Sequence, residues 1–133
     1  DRHSRFHLRL TPQRVAIFDY LEGNKSHPSA EDIYQAVAKK FPTVSLATVY
    51  NTLSAFERRG QLLKLTIDPD KARYDPNTFP HHHLICTLCN TIADVDTDYR
   101  LALPDTTFEI KGSHVEFYGT CPKCRKMSRE MGN

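Results

Sequence analysis

The chain predicts an α+β protein in two parts: an N-terminal domain of three helices and a hairpin, then a smaller α/β unit stapled by metal. Three observations carry this expectation. The first sixty residues contain three helical stretches with explicit start and stop signals, residues 61–74 alternate as a hairpin does, and the four cysteines all fall late, as the pairs Cys86/Cys89 and Cys121/Cys124. A chain of 133 residues with 39% hydrophobic content can bury one moderate core or two small ones, and a metal staple favours two. The expected division is residues 1–75, a linker at 76–81, and residues 82–133.

Thr11 followed by Pro12 is an N-cap with proline at the first helical position; Val15, Ile17, Phe18 and Leu21 form the apolar stripe, and Gly23 ends it. Ser29 with Asp32 three residues on resembles a capping box. The helix it opens carries Ile33, Tyr34, Val37, Ala38 and Phe41 on one face until Pro42. Ser45 caps a third helix over residues 46–59, stopped by Gly60. At 100° per residue its Leu46, Val49, Leu53 and Phe56 point inward, and Thr48, Asn51, Ala55, Arg58 and Arg59 point outward. A small, polar, basic face fits a DNA major groove, where Asn and Arg pair with base edges; an ordinary solvated face is the plain alternative.

The hairpin decides between them. Leu63, Leu65 and Ile67 alternate with Leu62, Lys64 and Thr66 before Asp68-Pro69-Asp70 turns the chain into Lys71-Ala72-Arg73-Tyr74. Three helices and then a hairpin with basic residues near its tip is the order of a winged helix, whose third helix reads the groove while the wing reaches phosphate. Double-stranded DNA is the expected partner. Thr48, Asn51 and Arg58 are base-contact candidates, and Arg14, Lys64, Lys71 and Arg73 are phosphate-contact candidates. A net charge of +2 neither demands nor excludes DNA.

Beyond Asp75, Pro76, Asn77 and Pro80 mark the linker, and residues 82–86, 91–95, 107–110 and 115–118 read as strands, with a short helix over 97–103. So small a unit needs a staple. Four thiolates on two tight knuckles suit a closed tetrahedral Zn(II) site. Disulfides belong to secreted chains, and no apolar run resembles a signal peptide or a membrane span. The chain reads as cytoplasmic, with reduced thiols. The run His81-His82-His83 needs another explanation, because imidazoles combined with carboxylates suit an exchangeable iron, manganese or zinc ion. On an extended segment His81 and His83 project to one side and His82 to the other.

The succession Arg9-Leu-Thr-Pro-Gln-Arg14, His27-Pro-Ser-Ala-Glu-Asp-Ile-Tyr34, Ser45-Leu-Ala-Thr-Val-Tyr-Asn-Thr-Leu53, His81-His-His-Leu-Ile-Cys86 and the two cysteine pairs resembles the ferric uptake regulator family of bacterial metal-dependent repressors. The resemblance covers nearly the whole chain in order. It implies a homodimer that binds palindromic DNA operators when Fe(II) or Mn(II) fills a regulatory site of His27, Asp75, His81, His83 and Asp94, and it adds Tyr50 to the DNA contacts. Aspartate at both Asp75 and Asp94 resembles the peroxide-sensing branch, in which Fe(II) and hydrogen peroxide oxidise a ligand histidine, here His27 or His81. The alternative inside the family is a reversible sensor of iron or another divalent metal. A further metal site found in many members falls here on Pro80, His82 and Ser113, with His114 displaced by one, so it is expected to be incomplete. His3 and His7 are expected to be solvated.

A mononuclear non-haem iron enzyme is the rival from another class, since His and carboxylate ligands also build oxygenase sites. The chain offers no recognisable substrate-binding motif, and the expectation is that it is not an enzyme. A zinc-stapled adaptor without a sensing role is the second rival.

Overall fold

The computed structural model describes residues 10–79, 81–96, 103, 105–110 and 115–130. The chain forms two compact units, residues 1–78 and 79–133. Among the described residues no helix is long and apolar enough to cross a membrane.

In the first unit α1 (Pro12–Leu21), α2 (Ala30–Ala38) and α3 (Leu46–Arg58) precede a hairpin of β1 (Leu63–Leu65) and β2 (Arg73–Asp75). Each helix starts on the cap its sequence announces. The Thr11, Ser29 and Ser45 side chains accept hydrogen bonds from the N–H groups of Arg14, Asp32 and Thr48, and the Asp32 carboxylate accepts in turn from the Ser29 N–H, completing a capping box. The helices close on one core of Ile17, Phe18, Leu21, Ile33, Val37, Val44, Val49, Leu53, Phe56, Leu62 and Tyr74. Full burial of each aliphatic or phenyl side chain there contributes about 1.5–3 kcal/mol.

Helix α3 buries a wider side than its apolar stripe. Thr52 is fully buried because its hydroxyl is satisfied by the Thr48 carbonyl at 2.8 Å. Ala55, expected outside, is buried beside it, whereas Leu46, expected inside, lies in the first turn and stays 37% exposed. The hairpin ladder is shorter than the alternation suggested, pairing Leu63 with Asp75, Lys64 with Tyr74 and Leu65 with Arg73. Past Leu65 the chain turns inward, burying Ile67 and Asp68.

Among its described residues the second unit has a three-stranded sheet in the order β4-β3-β5 and one helix after it. Strand β3 (His82–Cys86) runs antiparallel to β4 (Ile92–Val95) and parallel to β5 (Glu116–Gly119), and α4 spans Pro122–Glu130. Among its described residues the apolar core is thin: Ile85, Cys86 and Ile92 are buried, while Leu84, Leu88, Phe108, Ile110 and Tyr118 are exposed.

The described residues differ from the expected elements in two places, at residues 107–110 and after Cys121. Residues 107–110 form bends and coil rather than a strand, and Phe108 is 79% exposed. Of the helix expected over 97–103, residues 97–102 lie outside the described ones, and Leu103 is not helical. Helix α4 follows Cys121, with Pro122 at its first position, where a missing N–H costs nothing.

Candidate metal centres and nucleic-acid interface

Strand β3 delivers Cys86 to a tight turn that carries Cys89. The Asn90 N–H closes it on the Cys86 carbonyl at 2.9 Å, with Asn90 in the left-handed region (φ 62°) that asparagine tolerates. Cys121 and Cys124 sit at the start of α4, beside this turn because Thr87 N–H donates to the Gly119 carbonyl at 2.8 Å. The four thiols are free, with their sulfurs within 4.8 Å of one another and those of Cys89 and Cys121 3.8 Å apart. A tetrahedron with metal–sulfur bonds of about 2.3 Å separates its sulfurs by about 3.8 Å.

The electrostatics point the same way. The Cys121 N–H, donating to Cys86 Sγ at 3.4 Å, leads the groups that pull the Cys86 thiol down to about 6. The Thr91 hydroxyl, 3.1 Å from Cys89 Sγ, lowers Cys89. Cys124 is pushed up to about 12, first by its hydrogen bond with the Cys121 sulfur and then by burial. Four sulfurs this close cannot all ionise without a cation to hold them. The donor set therefore fits Zn(II).

Of the five expected nitrogen and oxygen ligands, two fall in the first unit and three in the second. In the first, His27 occupies the loop before α2, buried at φ 53°, with Nε2 3.4 Å from Asp75 Oδ2. The other Asp75 oxygen accepts the Asn77 N–H at 2.9 Å. In the second, His83 pairs across the sheet with Asp94, and its Nε2 lies 3.5 Å from Asp94 Oδ1. His81 Nε2 lies 3.3 Å from the same oxygen, and the two rings stand edge to face at 4.5 Å.

The His81 ring carries further information. Its Nδ1 is 2.7 Å from the Phe79 carbonyl, which can only accept, so Nδ1 holds the proton. In the neutral ring Nε2 is then a bare lone pair facing a carboxylate oxygen. That juxtaposition is repulsive unless a proton or a metal ion lies between them, and a backbone carbonyl on the far nitrogen is the usual brace of a metal-bound histidine. His82 is engaged differently: its Nδ1 accepts the Val115 N–H at 2.7 Å, tying β3 to the residue before β5. Pro80, Ser113 and His114, expected around an incomplete further site, lie outside the described residues, as do His3 and His7.

On α3, Tyr50, Asn51 and Arg58 are exposed and Thr48 is half-buried. Thr48 and Arg14 line an open groove with Thr11, Pro12, Gln13 and Phe41. Lys71 is exposed in the hairpin loop, as is Lys64 on β1. The Tyr50 hydroxyl donates to Glu31 at 2.9 Å, a link nineteen residues long that no local pattern announced. The Glu31 carboxyl is held low by its own backbone N–H first and by Tyr50 second, and the Tyr50 phenol is raised in turn.

Arg73 is a correction. Rather than meeting phosphate it is buried, with Nη1 3.0 Å from Asp68 Oδ2, Nη2 donating to the Ser26 carbonyl at 3.3 Å and Nε donating to the His27 carbonyl.

Three helices and a hairpin, followed by a small mixed sheet, are the winged-helix and dimerisation-domain architecture of a metal-sensing regulator. Residues 5–118 match the profile of the Ferric uptake regulator family, and the chain belongs to that family. It is 41% identical over 124 residues to the peroxide-responsive repressor PerR of Staphylococcus epidermidis, covering 90% of this chain and 83% of the relative. The iron-containing ferric uptake regulator of Francisella tularensis superposes with a TM-score of 0.71 at 25% identity, over 89% of this chain and 95% of that one. PerR from Streptococcus pyogenes gives 0.52 at 33% identity, over 91% and 86%.

Proposed function

We propose that this protein is a metal-dependent transcriptional repressor that senses hydrogen peroxide. Zn(II) is its structural ion, held by Cys86, Cys89, Cys121 and Cys124. Fe(II) or Mn(II) is its regulatory ion, with His27, Asp75, His81, His83 and Asp94 as its ligands. The observation that carries the reading is the convergence of His81 Nε2 and His83 Nε2 on one Asp94 oxygen, at 3.3 and 3.5 Å, with the far nitrogen of His81 braced by a backbone carbonyl. Mixed imidazole and carboxylate donors suit Fe(II) and Mn(II).

Fe(II), when bound, supplies the electrons that turn hydrogen peroxide into an oxidant of a nearby imidazole. His27 and His81 are the rings expected to take up oxygen, and an oxidised ring no longer offers the same nitrogen lone pair. Aspartate at both Asp75 and Asp94 supports the peroxide branch over a reversible metal sensor, as does the name of the Staphylococcus epidermidis relative.

The partner is a palindromic double-stranded operator read by a homodimer in the cytoplasm. Asn51 and Arg58 on α3 meet bases, with Thr48 and Tyr50 beside them, and Arg14 and Lys71 meet phosphate. Leu84, Phe108, Ile110 and Tyr118 supply exposed apolar surface for self-association, and a two-fold dimer matches a two-fold site.

The test compares wild type with His27→Ala on a duplex selected from random sequences, with and without Mn(II). His27→Ala is expected to keep its zinc and its dimer while losing Mn(II)-stimulated binding. Metal-independent binding by the wild type contradicts the reading.

A further inference from the structure

Arg73 and Asp68 lie outside every ligand set named above, yet they form a buried ion pair directly against a ligand loop. The Arg73 guanidinium donates to Asp68, to the Ser26 carbonyl and to the His27 carbonyl. Asp68 is itself fixed, since its other oxygen accepts the Asp70 N–H at 2.8 Å. One residue along β2, the Tyr74 N–H donates to the Pro28 carbonyl at 2.9 Å. Three successive carbonyls, those of Ser26, His27 and Pro28, are thus stitched to β2. His27, in the middle, has φ 53°, a backbone state that a residue with a Cβ keeps only when its surroundings over-determine it. Asp75 stands two positions beyond Arg73 on the same strand, hence on the same face.

We infer that Arg73, braced by Asp68, is a positioning residue for the regulatory metal: it holds the His27 loop against β2 so that the imidazole stands beside Asp75 before any ion arrives. This rests on His27 and Asp75 being metal ligands. Lysine cannot replace it, because a single ammonium lacks the planar fork that reaches two carbonyls and a carboxylate at once.

Mn(II) titration of the zinc-loaded full chain, Co(II) absorption at the same site and hydrogen exchange of the Tyr74 amide test the role. Arg73→Lys is expected to weaken Mn(II) by about 10- to 100-fold, to keep its zinc, to speed Tyr74 exchange, and at saturating Co(II) to shift the spectrum towards that of His27→Ala. Wild-type Mn(II) affinity overturns the role. So does weaker affinity with a wild-type Co(II) spectrum, which means that His27 still ligates and Arg73 acts only on general stability. If Arg73→Lys fails to fold, Asp68→Asn keeps the size and one acceptor, and is expected to weaken Mn(II) about tenfold; unchanged affinity there is equally decisive against it. A wild-type chain that takes up zinc but no Mn(II) overturns the metal-site reading first, and this role with it.

Discussion

Cys86 shows how a single side chain commits to metal. Backbone N–H groups aimed at its sulfur favour the thiolate, bringing the thiol to about 6. A folded value below the usual thiol range means that the charged form is stabilised at neutral pH and lost as pH falls through that value. Zinc uptake by the zinc-free protein is therefore expected to weaken further as pH falls below about 6, read by zinc titration; an affinity independent of pH contradicts it. Cys86→Ser is expected to lose zinc and unfold the second unit, because metal-binding free energy is folding free energy in so thin a core. Full zinc content and an unchanged circular dichroism spectrum in that variant count against a structural staple. The cysteines and His81 to His83 were legible in sequence because their chemistry is written in short spacings. Arg73 was not, because its burial depends on a loop 46 residues away.

At the scale of elements, α3 and the hairpin are expected to divide the labour of binding DNA. Asn51→Ala or Arg58→Ala is expected to reduce discrimination between a selected duplex and random DNA, by about 1–3 kcal/mol for each bidentate hydrogen-bonded pair removed. Lys71→Ala is expected to weaken both duplexes and to flatten the salt dependence. Salt-dependent titrations check both, and equal losses on both duplexes for all three variants contradict the division. The helices were readable from Thr11, Ser29 and Ser45 because capping is local. Residues 107–110 misled because alternation signals a strand only where a partner pairs with it, and α4 was missed although Pro122 after Cys121 marks a helix start. Ala55 was placed outside because a 100° wheel of apolar residues cannot show how wide a face its neighbours cover.

For the whole molecule, the proposed regulatory ion would make metal occupancy a lever on DNA binding. To move a DNA-competent state from about 1% to 99%, the ion must favour it by about 5.5 kcal/mol. Losing one imidazole from the shell removes much of that preference. Peroxide is therefore expected to abolish duplex binding by the Fe(II) form and to spare the Mn(II) form, which lacks comparable chemistry with peroxide. The most direct measurement is peptide-level mass spectrometry of the Fe(II)- and Mn(II)-loaded protein after brief exposure to hydrogen peroxide. Oxygen added to His27 or His81 in the Fe(II) form alone is the expected result, and unmodified histidines in the Fe(II) form, or equal modification in both, would contradict peroxide sensing.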